Sequence, residues 1–147
     1  MEKKYKLKNL GYLTSRLYRA LDRQLLANFK SADHPITTDQ YGVMVWLWEH
    51  DCIPQQALSC AIGKDKPSIT RLCDNLEKRE LIERKADPND RRVNVIHLTE
   101  KGAELKEKSL ELSLKTLEDA VEGIPKRDLA ITIATIKKII TKYERLD

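Results

Sequence analysis

The chain has 147 residues, of which 41% are apolar and 34% are charged. This composition excludes an intrinsically disordered chain, and the length suffices for a buried core without disulfides or metal ions. No apolar run approaches the roughly 20 residues of a membrane span, and no signal-like apolar core follows the basic N-terminus, so we expect a cytoplasmic protein.

The first predicted helix covers about residues 6–29. Its leucines recur at three- and four-residue steps and form one apolar stripe, Leu10, Leu13, Leu17, Leu21 and Leu25. Pro35 disfavours helical geometry in the residue before it and so separates this helix from the next. Thr37 and Gln40 have the spacing of a capping box, which predicts the start of a second helix. That helix is apolar on more than one side, which indicates the buried centre of the fold, and it ends at residues 50–52.

Two shorter helical segments follow, at residues 53–63 and 65–81. Pro54 suits the first position of a helix, and Gly63 suits a helix end. Asp65 is a good N-cap for the second segment, and Pro67 fits its first turn. The inner face of this second segment is predicted to consist of Ile69, Leu72, Cys73 and Leu76.

A hairpin is predicted next, with strands at residues 81–85 and 93–98. The turn between them, residues 87–92, reads Asp-Pro-Asn-Asp-Arg-Arg and is rich in residues that favour turns. Thr99 is placed to cap the helix that follows.

The C-terminal part is predicted to form two amphipathic helices separated by a break at residues 123–125. Their apolar residues repeat in heptad-like steps, at Leu110, Leu114, Leu117 and Val121, and then at Leu129, Ile133, Ile136, Ile140 and Tyr143. These stripes exceed what a unit of about 65 residues needs for its own core, so we expect a two-fold dimer. An intramolecular helix bundle is the alternative.

These elements predict a mainly α (α+β) fold, a winged helix-turn-helix with long N- and C-terminal dimerisation helices. Residues 37–98 form the expected DNA-binding unit, and residues 1–36 and 99–147 form the expected helical dimerisation region. In such a layout the second helix of the pair enters a DNA major groove, while the wing tip reaches the adjacent minor groove.

From residue 38 to residue 102 the chain resembles the MarR family of bacterial transcription regulators. The matching positions are Gln55, Leu58, residues 61–63, residues 68–72, Asp74, residues 76–79, residues 81–84, residues 87–88, residues 90–92 and residues 98–102. The resemblance implies a homodimer with one winged helix on each protomer.

Two positions depart from the family pattern. Glu80 stands where glycine is common, so either the helix ends without a left-handed residue or Glu80 is strained. Asn75 stands where arginine is common, which puts a DNA contact there in doubt.

The candidate DNA-binding residues lie in the second helix of the pair and in the wing. They are Lys66, Ser68, Thr70, Arg71, Asn75, Arg91 and Arg92. Because the net charge is only +4, any such site must depend on where the cations lie. Arg71 can pair with guanine. Lys66 can contact a phosphate, with a free solvated lysine as the alternative. Ser68 and Thr70 can contact a phosphate or a thymine methyl group, or else are ordinary solvent-facing residues near the cap.

The wing tip carries the rest of the predicted interface. The family resemblance implies that one of Arg91 and Arg92 inserts into the minor groove. The other meets phosphate or pairs with Asp90, which is predicted to orient an arginine. A solvated charged turn is the alternative.

The cysteines and histidines predict neither a metal site nor a cofactor. We expect Cys60 and Cys73 to be small buried hydrophobic residues. Only His50 and Cys52, with Asp51 between them, are close enough in sequence to suggest a metal site, and zinc normally takes three or four ligands. Cys52 also leaves open a thiol-based redox sensor.

The expected function is a dimeric, sequence-specific double-stranded DNA-binding regulator, a repressor more often than an activator. Its affinity is expected to respond to a small molecule, and Arg16, Tyr41 and Trp46 are the candidate pocket residues, with core packing as the alternative for the two aromatic side chains. A winged-helix module that binds protein is the competing function. No glycine-rich phosphate loop, GxSxG or HExxH motif indicates an enzyme.

Overall fold

The computed structural model describes residues 2–143, with side chains from residue 9 onward. Seven helices occur in this range: α1 (Glu2–Ser31), α2 (Thr38–Glu49), α3 (Gln55–Ile62), α4 (Lys66–Lys78), α5 (Glu100–Glu104), α6 (Lys106–Ala120) and α7 (Lys126–Ile140). The three strands are β1 (Ile53–Pro54), β2 (Ile82–Ala86) and β3 (Asn94–Leu98). Met1 and residues 144–147 of the expected dimerisation region lie outside the described residues. Within the described residues, no helix is long and apolar enough to cross a membrane.

The predicted fold class is confirmed: the chain is mostly helical, with one small antiparallel sheet. The strand order is β1-β3-β2, and β2 and β3 form the predicted hairpin. Strand β1 was not predicted, because it has only two residues and one of them is proline. It pairs with β3 through Ile53 opposite Ile96 and so joins the start of α3 to the base of the wing.

The helix starts follow the predicted capping chemistry. The Thr37 hydroxyl accepts the N–H of Gln40, and the Gln40 side chain accepts the N–H of Thr37, which completes the capping box of α2. Asp65 caps α4 and Thr99 caps α5 in the same way. Gly63 closes α3 in the left-handed conformation, with φ of 69°.

One core joins the long helices α1 and α6 to residues 37–98, which we call the winged part of the molecule. It contains the buried side chains of Phe29, Ile36, Val43, Met44, Leu47, Leu58, Ile69, Cys73, Leu76, Leu81, Ile82, Ile96 and Leu112. Helix α2 lies at its centre, as predicted. The apolar stripes of α1 and α6 are largely outside this core, because Leu13, Leu17, Leu114 and Leu117 are all exposed. Helix α7 has no buried residue within the single protomer.

Helix α4 ends three residues earlier than predicted. The N–H of Leu81 donates to the carbonyl of Leu76 at 3.0 Å, and the N–H of Glu80 donates to that of Glu77 at 2.8 Å. This is a Schellman ending, in which the residue after the cap adopts a left-handed conformation. Glu80 occupies that position with φ of 61°, so the second of the two sequence-based alternatives is correct and the residue is strained.

The family-like segment at residues 98–102 packs against this helix end. The Thr99 hydroxyl donates to the Glu80 carbonyl at 2.7 Å, and the Lys101 ammonium donates to the Arg79 carbonyl at 2.8 Å. Gly102 lies so close to the Leu81 carbonyl that a Cβ there would collide with it. The segment therefore fixes where α4 ends and where β2 begins.

Replacing Glu80 by glycine should stabilise the fold by about 1 kcal/mol relative to Glu80→Ala, because only glycine adopts this conformation without strain. Both substitutions remove the exposed carboxylate that pairs with Lys101, so their difference isolates the backbone. Urea denaturation of the two variants measures it. Equal stabilities, or a more stable alanine variant, would contradict strain at this position.

Candidate DNA interface

The N-terminus of α4 is held by Asp65, which engages one of the predicted contact residues. The Asp65 carboxylate accepts the backbone N–H of Ser68 at 2.8 Å and the Ser68 hydroxyl at 2.9 Å. These bonds from Ser68 hold the pKa of Asp65 below its ordinary value. The hydroxyl proton of Ser68 is thus directed at the cap, and only its lone pairs are left for another partner.

Thr70 is exposed but is also tied to the neighbouring helix. Its hydroxyl oxygen accepts the side-chain N–H of Gln55 at 3.0 Å, which links α3 to α4. Its backbone carbonyl accepts an N–H of Arg84 at 3.3 Å. The Thr70 hydroxyl keeps its proton free to donate outward.

Arg84 on β2 is the centre of the polar contacts between the wing and α4. Its Nη1 lies 2.8 Å from the Asp74 carboxylate and 2.7 Å from that of Glu77, and its Nε donates to Gln55 Oε1 at 2.9 Å. The Glu77 carboxylate also accepts the backbone N–H of Arg84 at 3.0 Å. Burial alone would lower the pKa of Arg84, but the hydrogen bonds to Asp74 and Glu77 outweigh it and raise the pKa. One side chain therefore fixes α3, α4 and β2 relative to each other.

The role of Arg84 was missed in the sequence analysis, where it appears only as a position of family resemblance. A signal did exist, because Asp74 and Glu77 are three residues apart and lie on the same face of a helix. The hairpin places Arg84 opposite Ile96, on the side of the sheet that meets α4.

The outward face of α4 presents Lys66, Arg71 and Asn75. All three side chains are exposed. Within the described part of the chain, none of them forms a side-chain hydrogen bond or ion pair. Arg71 and Asn75 are four residues apart, so they lie one above the other on the same face of the helix.

The wing tip is a fixed turn that presents two arginines. The Asp87 carboxylate accepts the N–H of Asn89 at 2.7 Å and that of Asp90 at 3.1 Å, which closes the turn. The Asp90 carboxylate accepts the N–H of Arg92 at 3.0 Å and lies 3.6 Å from its Nε. The Arg92 side chain is nevertheless 94% exposed, and Arg91 is exposed as well.

A cleft of about 230 Å³ separates the start of α4 from the base of the wing. Its lining includes Lys66 and Thr70 from the helix and Arg92, Val93 and Asn94 from the wing. Lys66 and Arg92 therefore face the same depression from opposite sides. Among the predicted contacts, the cleft brings Lys66 and Thr70 of the helix together with Arg92 of the wing.

The three predicted pocket residues do not share a cavity. Tyr41 lines a groove of about 260 Å³ between α1, α2 and α6, together with Tyr18, Leu21, Asp22, Leu25, Thr38, Gly42, Ser113, Thr116 and Leu117. Arg16 lies in a separate depression on α1 beside Tyr12, Arg19 and Arg23. Trp46 packs against the core, and its ring centroid lies 5.2 Å from that of His50.

The cysteines differ from one another in burial. Cys73 is buried as predicted, and burial raises the pKa of its thiol to about 11. The prediction for Cys60 was wrong, because this side chain is exposed. The short helix α3 turns Leu58 and Ser59 inward, and Cys60 falls on its outer side.

Cys52 is exposed, and its sulfur lies 3.2 Å from Nδ1 of His97, not beside His50. Partial loss of solvation and the adjacent Asp51 carboxylate raise the pKa of the Cys52 thiol. A peroxide-sensing thiol needs a lowered pKa, so this environment does not favour the redox alternative.

The helix pair, the hairpin and the cluster of exposed cations define a winged helix-turn-helix protein. The family model described as MarR family matches residues 36–93. Two curated relatives are similar to the chain. The transcriptional repressor MprA of Escherichia coli is 48% identical over 56 residues, which is 38% of this chain and 32% of that protein. The uncharacterised HTH-type regulator YsmB of Bacillus subtilis is 30% identical over 112 residues, which is 76% of this chain and 77% of that protein.

Among solved structures, CouR bound to a 23-mer DNA duplex is 25% identical with a TM-score of 0.77, over 90% of this chain and 92% of that one. CouR from Rhodococcus jostii RHA1 bound to p-coumaroyl-CoA is 27% identical with a TM-score of 0.74, over 88% and 90% of the two chains. The chain belongs to the MarR family. It spans about a third of the length of MprA and most of the length of YsmB.

Replacing Arg84 by methionine should reduce the free energy of unfolding by about 2 kcal/mol, since the charged hydrogen bonds to Asp74 and Glu77 are lost. Lys85→Met is the matched control on the same strand, with an exposed side chain. We expect it to change stability by no more than about 0.5 kcal/mol. Chemical denaturation measures both variants, and similar losses would show that Arg84 does not anchor the wing.

Proposed function

We propose that the chain is a homodimeric transcription regulator that binds a pseudo-palindromic operator in double-stranded DNA and acts as a repressor. The observation that carries this proposal is the placement of Lys66, Arg71, Arg91 and Arg92. All four are exposed, and they lie on α4 and on the wing tip that flank one cleft. The one acid paired with any of them in the described residues is Asp90, at 3.6 Å from Arg92.

In the proposed complex, α4 lies in the major groove with its N-terminal turns toward the base edges. Arg71 makes a bidentate contact to guanine, and Asn75, one turn further along, has the donor and acceptor that match adenine. Thr70 donates its free hydroxyl proton to a phosphate, as does the Lys66 ammonium. Arg92 extends from the wing into the minor groove. The complex of CouR with a 23-mer DNA duplex supports binding of double-stranded DNA by a protein of this fold.

The dimer is supported by the apolar surface that one protomer leaves uncovered. Leu13 and Leu17 on α1, Leu114 on α6 and Ile133 on α7 are between 45% and 57% exposed. A soluble protein rarely exposes so many large apolar side chains on adjoining helices unless they form an interface. Residues 1–36 and 99–147 therefore form the proposed dimerisation region, and residues 37–98 form the proposed DNA-binding unit. A two-fold pair places two α4 helices on successive major grooves of a near-palindromic site.

We further propose that a small amphipathic molecule tunes operator affinity by binding the groove beside Tyr41. This groove lies between α1, α2 and α6, so its contents bear on the angle between the dimer helices and the winged part. The complex of CouR with p-coumaroyl-CoA supports a ligand in a protein of this fold, and the name of MprA supports repression. A ligand shifts the equilibrium only through its affinity difference between two dimer shapes. Such a ligand would be detected because it lowers the affinity of the protein for its operator. The Gly42→Leu variant, whose added side chain fills the groove, should show no change in operator affinity when the ligand is added.

Selection of bound sequences from a random duplex pool tests DNA binding and yields the operator. We expect a two-fold symmetric consensus. On that operator, Arg71→Ala should lose about 1–3 kcal/mol of discrimination at one base pair of each half-site. Arg92→Ala should weaken binding at least about tenfold and reduce the slope of log affinity against log salt by about 1 per wing.

Arg23→Ala is the matched control, because this arginine is exposed on α1, lies off the leucine stripe of that helix and is not among the proposed DNA contacts. It should bind the operator like the unmodified chain. The melting temperature of Arg92→Ala should be unchanged, since its side chain is almost fully exposed. A protein-binding module would instead select no consensus, and both arginine variants would then behave like the control.

Leu114→Glu should dissociate the dimer, because it places a charge in the centre of the proposed apolar interface. Lys115→Glu is the control, because Lys115 is exposed and is the neighbour of Leu114 on the same helix. Sedimentation at micromolar concentration should give a monomer for the first variant and a dimer for the second, with operator affinity lost only in the monomer. A dimer that survives Leu114→Glu would exclude this face as the interface.

A further inference from the structure

Three side chains with metal-ligating atoms meet where the loop after α2 reaches strand β3. The sulfur of Cys52 lies 3.2 Å from Nδ1 of His97. The Asp51 carboxylate completes the group, and one ligand atom from each residue lies within 4.8 Å of the others. Asp51 and Cys52 are exposed and His97 is half-buried, so an ion can reach the group from solvent.

The sheet register builds this cluster from distant parts of the sequence. Ile53 pairs with Ile96 between β1 and β3, so the next step along the antiparallel pair sets Cys52 opposite His97. Asp51 Oδ1 accepts the backbone N–H groups of Cys52 and Leu98, each at 2.8 Å. These two bonds fix the carboxylate through Oδ1, and neither of them uses Oδ2.

We propose that Asp51, Cys52 and His97 bind a zinc-class divalent cation, with water in the fourth position. Thiolate, imidazole and carboxylate are the donor types that zinc takes in proteins. Tetrahedral zinc with sulfur at about 2.3 Å and nitrogen at about 2.0 Å requires these two atoms to be roughly 3.5 Å apart. The observed separation is 3.2 Å, so binding requires only a small rotation of the Cys52 or His97 side chain.

The charges around the cluster are compatible with a bound cation. Lys85 is the cation whose field acts on the Cys52 thiol, and its ammonium lies 2.5 Å from the Glu83 carboxylate. Glu83 stands directly opposite His97 in the β2–β3 register. The negative charge of Glu83 therefore offsets Lys85 beside the site, and Asp51 and the Cys52 thiolate balance the charge of the ion.

A bound ion would join the loop that precedes α3 to β3, the central strand of the sheet. The contacts already present there are backbone pairing and the hydrogen bonds of Asp51. Metal binding adds ligand bonds across the same junction and should stabilise the folded state by mass action. None of the three ligands is among the residues proposed to contact DNA, so the proposal holds whether or not the chain binds an operator.

Titration with Co²⁺ under reducing conditions tests the site, because a cobalt–thiolate bond gives a charge-transfer absorption that other ligands do not. We expect one equivalent to produce this band in the full chain, and Zn²⁺ to displace it. Cys52→Ser should abolish the band, and His97→Gln should weaken binding at least about tenfold, in line with loss of one of three ligands. Zn²⁺ should raise the melting temperature of the unmodified chain but not that of Cys52→Ser.

Cys60→Ser is the matched control, because Cys60 is the other exposed cysteine and lies outside the cluster. It should retain the band, the stoichiometry and the thermal shift. Circular dichroism before titration checks that each variant is folded, which we expect because Cys52 is exposed. Absence of the band at one equivalent would overturn the proposal, as would its loss to the same extent in Cys52→Ser and Cys60→Ser.

Discussion

The guanidinium of Arg84 is the contact on which the geometry of the winged part depends. A two-stranded hairpin is only marginally stable by itself, and its position must be fixed by packing against a helix. Arg84 provides this through Asp74 and Glu77 on α4 and Gln55 on α3, all at hydrogen-bonding distance. Gln55 in turn donates to Thr70, so the same network sets the rotation of α4 about its axis. That rotation determines the direction in which Arg71 and Asn75 point. Arg84 faces away from the exposed surface of α4, but it therefore controls which side chains that surface presents.

At the C-terminal end of α4, contacts with backbone groups have the role that the Arg84 ion pairs have along the helix. The left-handed Glu80, the Thr99 hydroxyl and the close approach of Gly102 to Leu81 stop the helix and start β2 within a few residues. Trp48 donates its indole N–H to the Gly102 carbonyl at 3.0 Å, and Arg79 donates to the Pro35 carbonyl. The first of these bonds joins α2 to α5, and the second joins the end of α4 to the loop between α1 and α2. The winged part cannot pivot freely on the long helices.

The sequence predicts those features whose physics is local. Thr37, Asp65 and Thr99 cap helices within three residues, and Gly63 ends one, so each could be assigned from short spacings. Features that depend on long-range register could not be assigned. Cys52 meets His97, 45 residues away, only because two-residue β1 pairs with β3. Cys60 was misplaced because a helix of eight residues has too few apolar positions to fix its phase. The predicted DNA-contact roles on α4 and the wing tip stay predictions, although the exposure of Lys66, Thr70 and Arg92 around one cleft agrees with them.

The Arg84 network and the contacts at the C-terminal end of α4 explain how a movement of the long helices would reach the DNA in the proposed dimer. Thr116 on α6 accepts a hydrogen bond from Asn28 on α1 at 2.7 Å, and Ser109 lies 2.8 Å from His34 in the loop that precedes α2. The groove beside Tyr41 lies between these same helices. Packed interiors shift between discrete arrangements and do not deform continuously. A molecule inserted in this groove would therefore either leave α1 and α6 in place or shift α6 relative to α1 to a second discrete arrangement. Arg79 at the end of α4 is bonded to Pro35 in the loop after α1, and Trp48 on α2 is bonded to Gly102 on α5, which precedes α6. The winged part would therefore move with the long helices as a rigid body. The distance between two copies of α4 would therefore change while the Arg84 network within each copy stayed intact.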